Sequence, residues 1–131
     1  MTAKLEKFCA PGLFDPATYS QGVKVTGAQT ILFLSGQVAY EKDGAPAFRG
    51  DFAAQARGAF DAIKALVESQ GGTLANVVKI TTYVTDMRHR AEWASIRAEF
   101  FGKKGCASTL VEIRALAHPD WLVEIEAIAV V

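Results

Sequence analysis

Cysteine and histidine are scarce in this sequence. Cys9 and Cys106 are the two cysteines in 131 residues, and neither belongs to a CxxC pair. Two widely spaced cysteines exclude a disulfide framework and a cysteine-based zinc site. Free thiols are typical of a reducing compartment, so we expect a cytoplasmic protein. Neither His89 nor His118 has a carboxylate at metal-ligand spacing, and no metal site is predicted.

Net charge is also absent, because 14 basic side chains balance 14 acidic ones. The sequence therefore lacks the basic surface that nucleic-acid binding normally needs. It also lacks a glycine-rich phosphate loop. No apolar run approaches the roughly 18 residues of a membrane span, and residues 1–8 do not resemble a signal peptide. We expect neither a nucleic-acid partner nor a membrane partner.

The hydrophobic residues, which make up 50% of the chain, follow the periodicities of helices and strands. The length fits a single domain over residues 1–131. After an irregular start, the pattern predicts a hairpin that turns at residues 27–29 and has its second strand at 30–38. A helix capped by Asp51 ends at residues 71–72, and a second helix covers 89–101. Apolar residues at helical spacing predict a buried stripe on each helix. The stripes are Phe52, Ala56, Ala59, Phe60, Ile63, Leu66 and Val67 on the first helix and Trp93, Ala94, Ile96 and Phe100 on the second. Strands are predicted at 77–85, 108–115 and 122–131. This order favours an α+β fold with one mixed sheet and both helices on one face.

The last strand is apolar on one face and mixed on the other. Val123, Ile125 and Ala127 alternate with Glu124 and Glu126, and the first set suits packing beneath the helices. The strand at 30–38 is apolar on both faces. A sheet face this apolar favours burial against other copies of the chain. Alternatively, the loops at 10–18 and 41–50 fold over it.

A few polar residues on these strands are candidates for chemistry. Glu124 and Glu126 lie on one side of the last strand beside apolar neighbours, where a carboxylate suits proton transfer. Ser35 and Gly36 end the strand at 30–38, and the glycine allows close approach by a ligand. The alternatives are a solvated or ion-paired glutamate and a serine bonded to backbone. Basic residues near the second helix favour a solvated helix face over an anion site; they are Arg88, Arg90, Arg97, Lys103 and Lys104.

Several segments together resemble the RidA/YjgF family, also called endoribonuclease L-PSP. They are YSQGV at 19–23, LSGQVA at 34–39, DFAAQARGAFDAIKALVESQGG at 51–72, VVKITTYVTDM at 77–87 and LVEIEAIAV at 122–130. The resemblance implies a chorismate-mutase-like α+β domain that forms a homotrimer. Its sheets would face inward around a central barrel-like core, with small-molecule clefts between subunits. It also implies hydrolysis of reactive enamines and imines without a cofactor or a metal.

The resemblance assigns roles to individual residues. Tyr19 corresponds to a cleft tyrosine, Ser35 with Gly36 to the serine that binds water and substrate, and Glu124 to the glutamate that positions the attacking water. Ser108 stands where the family has an arginine that grips a substrate carboxylate. We therefore expect a departure from the standard 2-iminoacid activity, since serine cannot replace that charge.

Three further positions bear on the cleft. Ala94 replaces a cleft asparagine of the family. Cys106 is two residues before Ser108 and is a further candidate for substrate binding. Arg97 could supply the missing charge if the second helix reaches the cleft, whereas Arg114 is about 20 Å along the strand from Ser108.

Three functions are compatible with this sequence. The first is a hydrolytic deaminase that acts, at a cleft between subunits of a trimer, on a reactive enamine or imine, including one without a carboxylate, or on a related small metabolite. The second is a trimer that binds a small metabolite without turning it over. The third is a ribonuclease or translation inhibitor, which the zero net charge and the absence of a basic stripe disfavour.

Overall fold

Six strands and two helices form the part of the chain that the structure describes, residues 3–28 and 30–131 of a computed structural model. Two short 3₁₀ turns, Leu74–Asn76 and Met87–His89, precede β4 and α2. In chain order the elements are β1 Lys4–Phe8, β2 Gly22–Thr26, β3 Ile31–Gln37, α1 Phe52–Ser69, β4 Val77–Val84, α2 Arg90–Phe101, β5 Ala107–Glu112 and β6 Val123–Val130.

The strands divide into a four-stranded sheet and a two-stranded ribbon. The sheet has the order β3-β6-β4-β5, in which β4 and β5 are parallel and the other neighbours are antiparallel. The ribbon pairs β1 with β2 antiparallel. The mixed α+β prediction is confirmed, but the prediction of one continuous sheet is wrong.

The predicted hairpin is also wrong, because β2 and β3 belong to different sheets. β2 pairs with β1, which lies in the start of the chain that we expected to be irregular, and β3 pairs with β6. Gln29, the last residue of the predicted turn, lies outside the described residues. A glycine-rich turn signals a change of direction, whereas burial selects the strand partner. Leu32 and Leu34 pack against the core beside Ala127 and Ala129 of β6.

The core lies between α1, α2 and one face of the four-stranded sheet. The Asp51 carboxylate caps α1 by accepting a hydrogen bond from the Ala54 N–H at 3.0 Å. The helices bury most of the predicted stripes, although Leu66 remains 37% exposed and Ala94 and Phe100 are half-buried. The buried set is Phe52, Ala56, Ala59, Phe60, Ile63 and Val67 of α1 with Trp93 and Ile96 of α2, packed over Ile80, Val123, Ile125, Ala127 and Ala129.

The opposite face of the sheet is open in the single chain. Ile31 is 54% exposed and Phe33 is 77% exposed. The loop at 10–18 does not cover them, since its Phe14 is itself 74% exposed. The loop at 41–50 lies elsewhere, and its Phe48 faces Gly58 of α1. The described residues thus leave an apolar sheet face in water. Within the same residues, no helix is long and apolar enough to cross a membrane.

Candidate functional site

A cleft of about 520 Å³ separates α2 from the outer strand β5. Its wall includes Tyr19, Trp93, Ala94, Ser108 and Leu110. The sequence places Tyr19 here because its neighbours join the end of β5. The Gly105 N–H donates to the Thr18 carbonyl at 3.0 Å, and the Ser20 N–H donates to the Cys106 carbonyl at 3.1 Å. Tyr19 and Ser108 are therefore brought together as the sequence predicted.

Arg97 of α2 enters the same cleft and is only 7% exposed. Its Nη2 donates to the Thr18 hydroxyl at 3.1 Å, and its Nη1 lies 3.5 Å from the Ser108 hydroxyl. The guanidinium carbon also lies 4.8 Å from the centre of the Trp93 ring and 5.5 Å from that of Tyr19. Burial lowers the pKa of Arg97 from its ordinary value, yet an arginine remains protonated in proteins. The cleft thus contains a positive charge.

Glu124 lies on the other, open face of the sheet. It pairs with Tyr83 of β4 and approaches β3 where one extra residue interrupts the pairing between Leu34 and Gln37. This bulge holds Ser35 and Gly36. A Cβ added to Gly36 would lie 2.6 Å from the carboxyl carbon of Glu124, so the carboxylate occupies the space above the glycine. Bulges are common beside active sites because they re-aim side chains.

The neighbouring carboxylate, Glu126, is already engaged. It accepts a hydrogen bond from the Tyr83 hydroxyl, and this bond is the main reason that the pKa of Tyr83 is raised. No described residue donates a hydrogen bond to Glu124. Of the two glutamates on this face, Glu124 is the one whose carboxylate is available to a water or a ligand.

The two groups of predicted site residues lie on opposite faces of the same sheet. Ser108 is aligned with Ile80 and Ala127, whose side chains are buried beneath the helices. Glu124 has the opposite parity along β6 and points away from them. One chain therefore joins Tyr19, Arg97 and Ser108 on one side and Ser35, Gly36 and Glu124 on the other, without bringing the two groups together.

Cys106 lies apart from both groups. It lines a separate cavity of about 410 Å³ between the ribbon and the core, together with Leu5, Val23 and Phe101. Burial raises its pKa to about 11, so the thiol stays protonated and unreactive near neutral pH. Both cysteines are free thiols, as expected. Cys106 is thus a packing residue, and the structure does not place it in the cleft.

The histidines and Arg114 also lie outside the cleft. His89 stacks on Phe52 with ring centres 4.1 Å apart, and His118 accepts a hydrogen bond from the Asp120 N–H at 3.0 Å. Arg114 is exposed beyond the end of β5, which stops at Glu112, earlier than predicted. Within residues 3–28 and 30–131, no group of three or more acidic, histidine or cysteine side chains could hold a metal ion.

Sequence reasoning assigned Arg97 to a solvated basic cluster, and the structure shows a buried side chain instead. The assignment holds for Arg88, which is exposed, whereas Arg90 is exposed but also lines the edge of the cleft. A signal was present in the sequence, since Arg97 stands four residues after Trp93 and one after Ile96. Those positions share the buried stripe of α2. A charged residue on such a stripe needs a polar or functional partner.

Comparison with known proteins gives matches over most of the chain. The family model described as Endoribonuclease L-PSP matches residues 14–131. A RutC family protein of Pyrococcus horikoshii is 38% identical over 111 residues, which are 85% of each chain. The structure of the Rid family protein YyfB from Yersinia pestis, described as being of unknown function, gives a TM-score of 0.86 at 27% identity and covers 97% of this chain and 98% of that one. RidA from an Antarctic Psychrobacter gives a TM-score of 0.70 at 32% identity, with 95% and 94% covered.

Proposed function

The chain belongs to the RidA/YjgF family, whose model is described as Endoribonuclease L-PSP, and on this premise we propose that it hydrolyses the C=N bond of a small reactive imine or enamine. The observation that carries the proposal is the position of Glu124. Its carboxylate lies above Gly36 in a strand bulge, beside Ser35 and without a hydrogen-bond donor among the described residues. This arrangement suits a carboxylate that holds and activates a water molecule.

In the proposed reaction, Glu124 accepts a proton from a water molecule as the water oxygen attacks the carbon of the protonated imine, which gives a neutral carbinolamine. Glu124 returns this proton to the carbinolamine nitrogen. The C–N bond then breaks and releases ammonia, while the hydroxyl group forms the C=O bond and gives its proton to Glu124, so that a carbonyl compound remains. An enamine first takes a proton on carbon to become the imine. Ser35 and the backbone N–H of Gly36 orient the water or the substrate. The chemistry uses water alone, so the proposal includes neither a cofactor nor a metal.

The proposal also includes a homotrimer in the cytoplasm. The open sheet faces of three copies would pack inward into a barrel-like core of the chorismate-mutase type and bury side chains such as Ile31 and Phe33. An apolar face of this kind is unfavourable in water and is usually covered by symmetric association. In this arrangement, the Glu124 face of one chain meets the Tyr19, Arg97 and Ser108 cleft of its neighbour. Each substrate would then contact two chains.

The test is ammonia release from a panel of short-lived imines and enamines. Glu124→Gln keeps the size of the side chain but removes the base, and we expect turnover to fall by about 10²–10⁴-fold. Glu126→Gln is the matched control on the same face of the same strand, and it should retain most of the activity. Equal losses in both variants, or no turnover of any substrate by the wild type, would overturn the proposal. Sedimentation should give a mass of three chains of 14.1 kDa.

A second candidate function is binding without turnover. The observation in its favour is that the arginine-containing cleft is complete within one chain and does not include Glu124. A metabolite that raises the melting temperature and is recovered unchanged, with equal affinity in Glu124→Gln, would favour this function over hydrolysis.

The family description also names an endoribonuclease. A chain with zero net charge lacks the electrostatic attraction that RNA binding uses, so we do not extend the proposal to RNA. RNA cleavage that persists through purification and disappears in Glu124→Gln would contradict this choice.

A further inference from the structure

We propose that Arg97 makes this cleft specific for a small carboxylate that carries an apolar substituent. The inference deepens the proposed function and rests on it only for the assumption that the substrate binds in this cleft. It reverses the expectation from Ser108, which favoured a substrate without a carboxylate. Arg97 of α2 supplies the positive charge that β5 lacks because it has Ser108 in place of an arginine.

The first support is the unmatched charge of Arg97. The side chain is 7% exposed, and both of its hydrogen bonds go to hydroxyl groups, those of Thr18 and Ser108. A guanidinium has five N–H donors, and no described carboxylate pairs with it. A buried cation is unfavourable unless an anion compensates it. The cleft next to Arg97 is where such an anion can enter.

The second support is the geometry of the guanidinium. The guanidinium carbon lies close to two aromatic rings, 4.8 Å from the centre of Trp93 and 5.5 Å from that of Tyr19, and its Nη1 lies beside Ser108. A planar guanidinium held in one orientation pairs with a carboxylate through two parallel hydrogen bonds. The Ser108 hydroxyl, 3.5 Å from Nη1, can donate to the same carboxylate. Ser108 of β5 and Arg97 of α2 can therefore bind the same carboxylate.

The third support is the shape and lining of the cleft. A volume of about 520 Å³ is within the usual range for sites that bind small molecules. Beyond Arg97, the apolar part of the wall is formed by Trp93, Leu110, Met87 and Ala94, and exposed Arg90 lies at its edge. These side chains would contact an aliphatic or aromatic group attached to the carboxylate. A phosphate or a highly polar ligand would leave this wall without a partner.

The experiment measures binding and does not depend on turnover. Benzoate and benzamide have the same shape and differ in charge, and isothermal titration gives the affinity of wild type for each. We expect benzoate to bind at least about tenfold more tightly than benzamide. Arg97→Met should abolish this preference, and Arg97→Lys should retain part of it because it keeps the charge but not the paired hydrogen bonds.

Arg114→Gln is the control, since Arg114 is an exposed arginine that does not line the cleft. It should leave the preference within about threefold of wild type. Loss of the preference in Arg114→Gln, or its retention in Arg97→Met, would overturn the assignment. If neither Arg97 variant folds, the rise in the wild-type melting temperature with benzoate but not with benzamide still tests anion specificity.

The result separates the two proposals. A wild type that hydrolyses neutral imines but shows no preference for benzoate contradicts the role of Arg97 and leaves the proposed hydrolysis standing. A wild type that binds benzoate through Arg97 but hydrolyses no imine contradicts the hydrolysis and leaves the carboxylate site standing.

Discussion

The two faces of the four-stranded sheet differ in how completely one chain buries their apolar side chains. On the helix side, Phe60 and Ile125 are fully buried, and Phe60 packs between the rings of Phe100 and Phe101 at 4.9 and 5.6 Å. On the open side, Phe33 is 77% exposed. Both faces carry large apolar side chains, so burial within the chain is not what sets their composition.

Each face also carries one half of the candidate site. The helix side contains the positive charge of Arg97, and the open side contains the carboxylate of Glu124. Opposite charges on opposite faces do not meet in one chain, because the thickness of the sheet separates them. The helix face therefore stabilises the single chain, and in the proposed homotrimer the open face would contact another copy.

The largest effect on stability is expected from truncating a phenylalanine on the helix side. Phe60→Ala should lower the free energy of unfolding by about 3–5 kcal/mol because it leaves a cavity among packed rings. Phe33→Ala removes the same side chain from the open face. It should weaken self-association, so its effect should grow on dilution. Urea unfolding and sedimentation over a dilution series would distinguish the two. An unchanged oligomer in Phe33→Ala would contradict the proposed role of the open face.

A smaller effect is expected from the thiol of Cys106, which lies on the buried side. Its pKa is raised to about 11 from the ordinary 9.0. The folded state therefore keeps a proton that the unfolded state releases above about pH 9. This contribution to stability is fully present below pH 9 and is lost as the pH rises through about 11. At about pH 10.5, the titration of this thiol should lower the free energy of unfolding of wild type by about 2 kcal/mol relative to its value below pH 9.

The measurement is the free energy of unfolding of wild type and Cys106→Ala from pH 8 upward. The variant has no thiol at this position, so its stability should fall less steeply. Parallel curves would mean that the thiol proton is not held more tightly in the folded state. The slopes are compared, since the substitution also changes packing at all pH values.

The smallest effect on stability is expected at Gly36, on the open face. A methyl group there displaces the Glu124 side chain, which is flexible and exposed enough to move. Gly36→Ala should therefore change the free energy of unfolding by less than about 1 kcal/mol. It should nevertheless reduce imine hydrolysis by about tenfold or more, because the carboxylate loses its position. Gln37→Ala, on the same strand, is the control. Full activity in Gly36→Ala would contradict the proposal that the bulge positions the Glu124 carboxylate for hydrolysis.

The sequence predicted well those structural features that burial within one chain determines. The Asp51 cap, the stripe of α1 from Phe52 to Val67, and the alternation of β6 around Ile125 all correspond to the structure. Periodicity reports which side of an element is buried. It does not report the partner of a strand, which is why β2 was assigned to β3 and why β1 was missed.

The site was predicted in pieces. Tyr19 with Ser108, and Gly36 with Glu124, lie together as the family resemblance implied. The placement of these pairs on opposite faces follows from strand register, which a single sequence does not specify. Arg97 was assigned to a solvated surface because it was grouped with nearby basic residues such as Arg88 and Arg90, which are indeed exposed. Its buried position beside the cleft, next to Ser108, distinguishes it from them.

The bulge at Gly36 and the arginine on α2 have a consequence for how such proteins diversify. If the proposed function and the Arg97 site are both correct, the sheet separates the side that recognises the ligand from the side that activates water. A substitution on α2 could then change ligand preference while the backbone around Glu124 and Gly36 stays in place.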